Sequence, residues 1–206
     1  MKPGAVLAAD DDGAVERAAK ALLGAGLVVL PTETVYGLAA LASDPHATSA
    51  LFARKGRGAD VPIAVLCADA EQAMALAVAA SPLAAELAAA HWPGPLTMVL
   101  RRRPGLGWRL GEPTDTIGVR CPDHDLVRAL AARVGPLATT SANRHGLPTP
   151  ASATEAAEQL LGPVDLVLDG GRLAGTPSTV VDLTGEAPRV LRQGAVVIDA
   201  PGLAGA

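Results

Sequence analysis

Short apolar runs alternate with alanine-rich stretches of helical length, and this constrains the fold more than anything else in the chain. The runs lie at 27–30, 63–67, 96–100, 116–120, 137–140, 166–168, 179–183 and 189–191. Runs this short and this apolar read as strands buried in a sheet. Between them, 12–23, 47–55, 69–79, 82–91, 122–134 and 152–161 read as helices. Asp11 or Asp12 can cap the first helix, and Gly24 and Gly26 can stop it. Ser81 and Pro82 suit a cap and first position, and Ser152 or Thr154 can cap the last helix. Strands interleaved with helices imply an α/β layered architecture. The closely spaced strands near the end imply some antiparallel pairing. The expected fold is an open twisted mixed sheet of about seven strands flanked by helices.

With 206 residues, the chain is long enough for one well-packed domain. No apolar run approaches the roughly 20 residues needed to span a bilayer. The first residues turn acidic too early for a signal peptide, so a cytoplasmic protein without membrane contact is expected. Cys67 and Cys121 are far apart and form no CxxC, which predicts buried free thiols. The formal net charge is −4, and only 2% of residues are aromatic. Both argue against broad sequence-independent nucleic-acid binding, which needs clustered cations and stacking platforms. Arg101-Arg102-Arg103 is read as a solvated strand end. The chain lacks G-x-x-x-x-G-K-[ST], G-x-S-x-G and H-E-x-x-H, and its four histidines show no metal-ligand spacing.

Chemistry-bearing side chains collect instead at strand ends. Pro31 closes the strand at 27–30 and is followed by Thr32, Glu33, Thr34 and Tyr36, the sole tyrosine, with Gly37 behind them. Such strand ends hold ligands in open α/β sheets, although Thr and Glu there also serve as helix caps. Lys55-x-Arg57 sets two cations beside a helix end, able to grip a polyphosphate. Arg120 leaves the strand at 116–120 and needs a partner in so apolar a chain. Either an acidic side chain of the protein or a substrate carboxylate would serve. Thr139-Thr140-Ser141-Ala142-Asn143 can bind phosphate or ribose, or simply form a turn. Gly175-Thr176-Pro177-Ser178-Thr179 opens another strand. Arg192, taken alone, reads as a surface cation.

Together these elements resemble the YrdC/TsaC family, the L-threonylcarbamoyladenylate synthases, in its single-domain form. The carriers are PTETVYGL at 31–38, K-x-R at 55–57, WPGPLT at 92–97, T-x-x-V-R at 116–120, SAN at 141–143, G-x-x-S-T at 175–179 and L-R-x-G at 191–194. They occur in the family's order and span about 12–196 of a single YrdC-like domain covering 1–206. WPGPLT is read as mainly structural. Leu66 stands where some members carry a histidine that touches threonine, and Val61 replaces a polar residue beside the nucleotide.

The resemblance implies an enzyme, a nucleotidyltransferase joining L-threonine, bicarbonate and ATP into threonylcarbamoyl-AMP and pyrophosphate. The product serves the N6-threonylcarbamoyladenosine modification of tRNA through a separate transferase complex. Thr34, Arg120 and Ser178 would bind threonine. Lys55, Arg57, Thr116, Thr139, Ser141, Asn143, Thr149 and Arg192 would bind ATP, with Lys55 and Arg57 neutralising charge. Mg²⁺ would be held by the nucleotide, with no protein metal site and no acid/base residue. The alternative the resemblance allows is a double-stranded RNA or tRNA-binding module in RNA or ribosome maturation, or a weak tRNA contact beside the catalytic role.

Overall fold

The computed structural model describes residues 5–198 apart from 59, 79 and 174, so both ends of the expected 1–206 domain lie outside the described residues. Ten strands form one mixed sheet. They are β1 (Ala5–Ala8), β2 (Val28–Leu30), β3 (Gly37–Leu41), β4 (Ala64–Leu66), β5 (Leu96–Arg101), β6 (Thr116–Arg120), β7 (Leu137–Ser141), β8 (Leu166–Asp169), β9 (Thr179–Asp182) and β10 (Arg189–Arg192). Their order is β1-β8-β2-β3-β7-β4-β6-β5-β9-β10, so the sheet is open. Six helices accompany them among the described residues: α1 (Ala14–Leu23), α2 (Pro45–Lys55), α3 (Ala70–Met74), α4 (Pro82–His91), α5 (Asp125–Val134) and α6 (Ala153–Gln159).

The sheet is larger than the expected seven strands, chiefly because of β1 and β3. β1 is an exposed edge strand with no run of buried residues to mark it. β3 begins inside the PTETVYGLAA segment, which sequence reading treats as a turn. The chain reverses there and pairs Gly37 with Leu30 on one side and with Ser141 on the other.

Other boundaries follow local chemistry. No side chain caps α1, although Asp11 accepts a hydrogen bond from the Gly13 N–H at 2.8 Å. α2 starts earlier than expected because Asp44 accepts from the N–H groups of His46 and Ala47, with Pro45 at the first position. Ser81 and Ser152 cap α4 and α6 as the sequence indicates. α3 has five residues rather than eleven; the chain leaves the helix, and Ala77 bridges to Arg102.

Side chains alternate across β2. Leu27 and Val29 join the core under α2, α4 and α6, whereas Val28 and Leu30 join the core under α1 and α5. The second core reaches Leu66 on β4 and goes no further toward β6, β5 and β9. Helices therefore pack along most of one sheet face but only against the β1-to-β4 side of the other. The candidate site occupies the uncovered remainder. Cys67 and Cys121 are buried and free, and among the described residues no helix is long and apolar enough to cross a membrane.

Candidate active site

A cavity of about 330 Å³ lies on that bare half-face, within the ordinary range for a small-molecule site. Its floor is built by strand periodicity. Ala64 and Leu66, Thr97 and Val99, Thr116, Gly118 and Arg120, Thr139 and Ser141, and Ser178 and Val180 all line it. Each set is spaced by two along its strand, so all project from one side of the pleat. Ala64, Leu66, Val99, Gly118 and Val180 give the floor an apolar part, and hydroxyls and Arg120 stand among them.

Two glycines bring the lining segments together. A Cβ on Gly175 would lie 1.4 Å from the carbonyl oxygen of Thr34, so the loop before β9 can press against the turn between β2 and β3 only without a side chain. Gly194 likewise packs on the Pro177 carbonyl, where a Cβ would come within 2.2 Å.

Arg57, Arg120 and Arg192 converge on the cavity, and no Asp or Glu is among the described residues lining it. Arg57 reaches Thr140 Oγ1 at 3.4 Å and the Pro62 carbonyl at 3.0 Å, while its buried Nε has no partner among the described residues. Burial lowers the Arg57 pKa, and Arg192 lowers it further by repulsion, while Asp60 opposes both. Arg192 donates to the carbonyl and hydroxyl oxygens of Ser178, both at 3.0 Å. Ser178 Oγ also pairs with Thr97 Oγ1 at 2.9 Å. Cations that face a cavity with no carboxylate in its described lining form a receptor for an anion.

Arg120 is held on three sides. Its Nε donates to the Gly94 carbonyl at 3.2 Å and its Nη2 to Thr34 Oγ1 at 3.1 Å. Nη2 also meets Glu33 Oε1 at 2.6 Å. Nη1 has no partner among the described residues. Both partners that the sequence leaves open for this arginine are thus compatible: an acidic residue takes one edge and the cavity keeps the other. The Trp92–Pro95 turn supplies the Gly94 carbonyl, so WPGPLT does more than enter a strand.

Lys55 and Asn143 do not line the cavity. Lys55 Nζ donates to the Ser141 carbonyl at 2.5 Å, Ser141 Oγ at 2.9 Å and Asn143 Oδ1 at 2.7 Å. Burial, then repulsion from Arg57, lowers its pKa to about 8. Asn143 donates to the carbonyls of Arg144 and Leu147. The pair sits behind the wall and shapes the end of β7. Thr34, Thr116, Thr139, Ser141, Thr149 and Ser178 do line the cavity. So does Thr97, within the WPGPLT segment that the sequence marks as mainly structural. Tyr36 turns into the core, where its hydroxyl donates to the Gly171 carbonyl at 2.6 Å and accepts from the Gly170 N–H at 3.0 Å.

A family model named Sua5/YciO/YrdC, with the description telomere recombination, matches residues 20–194. The chain belongs to this family. A threonylcarbamoyl-AMP synthase from Pyrococcus abyssi is 40% identical over 84% of this chain and 52% of its own length. A Mycobacterium tuberculosis relative, given the same description provisionally, is 44% identical over 82% of this chain and 79% of its own. Among solved structures, P. abyssi Sua5 complexed with L-threonine superposes with a TM-score of 0.85 at 37% identity, covering 94% of this chain and 57% of that one. E. coli YciO superposes at 0.82 with 26% identity, covering 94% and 96%. The chain thus spans little more than half of the P. abyssi protein and nearly all of YciO. All seven motif segments lie within the matched region, and each contributes at least one residue to the cavity wall.

Proposed function

We infer that this chain is a threonylcarbamoyl-AMP synthase, forming threonylcarbamoyl-AMP and pyrophosphate from L-threonine, bicarbonate and ATP for tRNA modification. The observation that carries the reading is a cavity wall with three arginines and, among the described residues, no carboxylate, in a chain whose structural relative binds L-threonine. The nucleotide enters as its magnesium complex. The lining residues offer the ion no carboxylate, which suits a cation that the phosphates themselves hold.

Arg120 takes the threonine carboxylate on Nη1, beside the hydroxyls of Thr34, Thr97 and Ser178. Arg57 and Arg192 take the polyphosphate. Thr116, Thr139, Ser141 and Thr149 orient the nucleotide, and Lys55 and Asn143 fix the backbone that presents Ser141. The threonine amine and bicarbonate condense with loss of water to a carbamate, which is an anionic nucleophile. It attacks the α-phosphorus and expels pyrophosphate. Such a displacement depends on positioning and charge neutralisation rather than on a dedicated base. The labile product passes to a separate transferase that holds the tRNA.

The test is pyrophosphate release from ATP with threonine and bicarbonate each omitted in turn. Release is expected only with both, and weaker with serine than with threonine. Release that ignores threonine would overturn the acceptor. Arg120→Ala should raise the threonine KM by about 10-fold or more, the loss of a charge-assisted contact, with the ATP KM little changed.

A further inference from the structure

Glu33 stands immediately behind the substrate-facing arginine, and the mechanism above gives it no role. Its Oε1 contacts Arg120 Nη2 at 2.6 Å and also accepts the backbone N–H of Asp123 at 3.0 Å. The first contact ties the turn between β2 and β3 to the end of β6; the second ties it to the start of the segment leading into α5. Glu33 is absent from the cavity wall, whereas Arg120 is part of it. With Gly94 on Nε and Thr34 sharing Nη2, three groups from two segments lock the plane of the guanidinium. Only Nη1 is left without a partner among the described residues. A planar fork with one edge anchored can offer the other edge in a single orientation.

We propose that Glu33 is a positioning residue that aims Arg120 at the carboxylate of the amino-acid substrate and so sets the affinity for that substrate alone. The inference rests on the synthase reading. The carboxylate oxygen acts as a brace, held in place by the Asp123 N–H. It lowers the orientational cost of binding without touching substrate. Arg57 and Arg192 have other partners, so the nucleotide side is untouched by the brace.

The experiment uses the full chain and the variants Glu33→Gln, Glu33→Asp and Glu33→Ala, with pyrophosphate release measured against threonine and against ATP. Gln keeps an oxygen that can accept from both Arg120 and Asp123. Asp keeps the charge but is one methylene short of the arginine. Ala has neither. The expected threonine KM rises less than about threefold for Gln and about 10-fold or more for Ala, with Asp between them. The ATP KM stays within about twofold throughout. Should Glu33→Ala fail to fold, the order of Gln and Asp decides, with Asp the weaker binder. Equal threonine KM values across the series, or ATP and threonine KM values rising together, would overturn the proposal. Wild-type protein that releases pyrophosphate without threonine would overturn the synthase reading instead, because it fails before any variant is compared.

Discussion

Lys55 makes a sharp prediction because its side chain is buried while its charge is not paired with a carboxylate. Only 3% of the residue is exposed, and its partners are a carbonyl, a hydroxyl and an amide oxygen. A neutral amine satisfies the same set: two N–H groups donate to the carbonyl and the amide, and the lone pair accepts from Ser141 Oγ–H. The fold therefore loses little when the proton leaves, and burial moves the pKa from its ordinary 10.5 to about 8. Between those values the unfolded chain still carries the proton and the folded chain does not. Stability from this group should therefore rise with pH over that window, by about 3 kcal/mol in all, and be absent below it. Lys55→Met has no such proton. Urea unfolding of both proteins from neutral pH to about pH 10 isolates the contribution, since Tyr36, Cys67 and Cys121 titrate in both and cancel. Wild type should gain on the variant by most of that 3 kcal/mol. Parallel pH profiles, or a wild type that loses ground as pH rises, would refute the argument. Pyrophosphate release by Lys55→Met should also fall at all pH values, because Ser141 and Asn143 lose the group that holds them.

Gly175→Ala should cost at least about 2 kcal/mol in a thermal or urea melt and weaken threonine binding, because its Cβ would collide with the Thr34 carbonyl at 1.4 Å. A variant with wild-type stability would show that the loop has room to retreat. Thr97→Val keeps the shape and removes the hydroxyl paired with Ser178 at 2.9 Å. The threonine KM should rise severalfold, about 1 kcal/mol, with the ATP KM unchanged; no change would remove Thr97 from the threonine side of the site.

The layered α/β class was legible because buried strands and amphipathic helices write their periods into the chain. α1 buries Ala14, Ala18, Ala19 and Leu22 at helical spacing, and the serine caps of α4 and α6 sit where their side chains must act. The segments that meet at the cavity were also legible, since PTETVYGL, K-x-R, T-x-x-V-R, SAN, G-x-x-S-T and L-R-x-G each carry polar chemistry at a strand or helix end. β1 escaped because an exposed edge strand has no buried run. β3 escaped because its first residues belong to a turn motif, and only pairing with β2 and β7 makes them a strand.

What the tertiary structure alone decided is which side of each wall a polar group faces. Lys55 and Arg57 are two residues apart, yet one spends its donors behind β7 and the other points into the cavity, because the helix ends between them at Gly56 with φ of 63°. Glu33 and Arg120 are distant in sequence and their pairing is written in neither segment. It exists because the turn between β2 and β3 and the end of β6 reach the same side of the sheet. Residue types and short-range spacing follow from local sequence, since they depend on near neighbours. The direction of a side chain at a site depends on the long-range packing that brings the walls together.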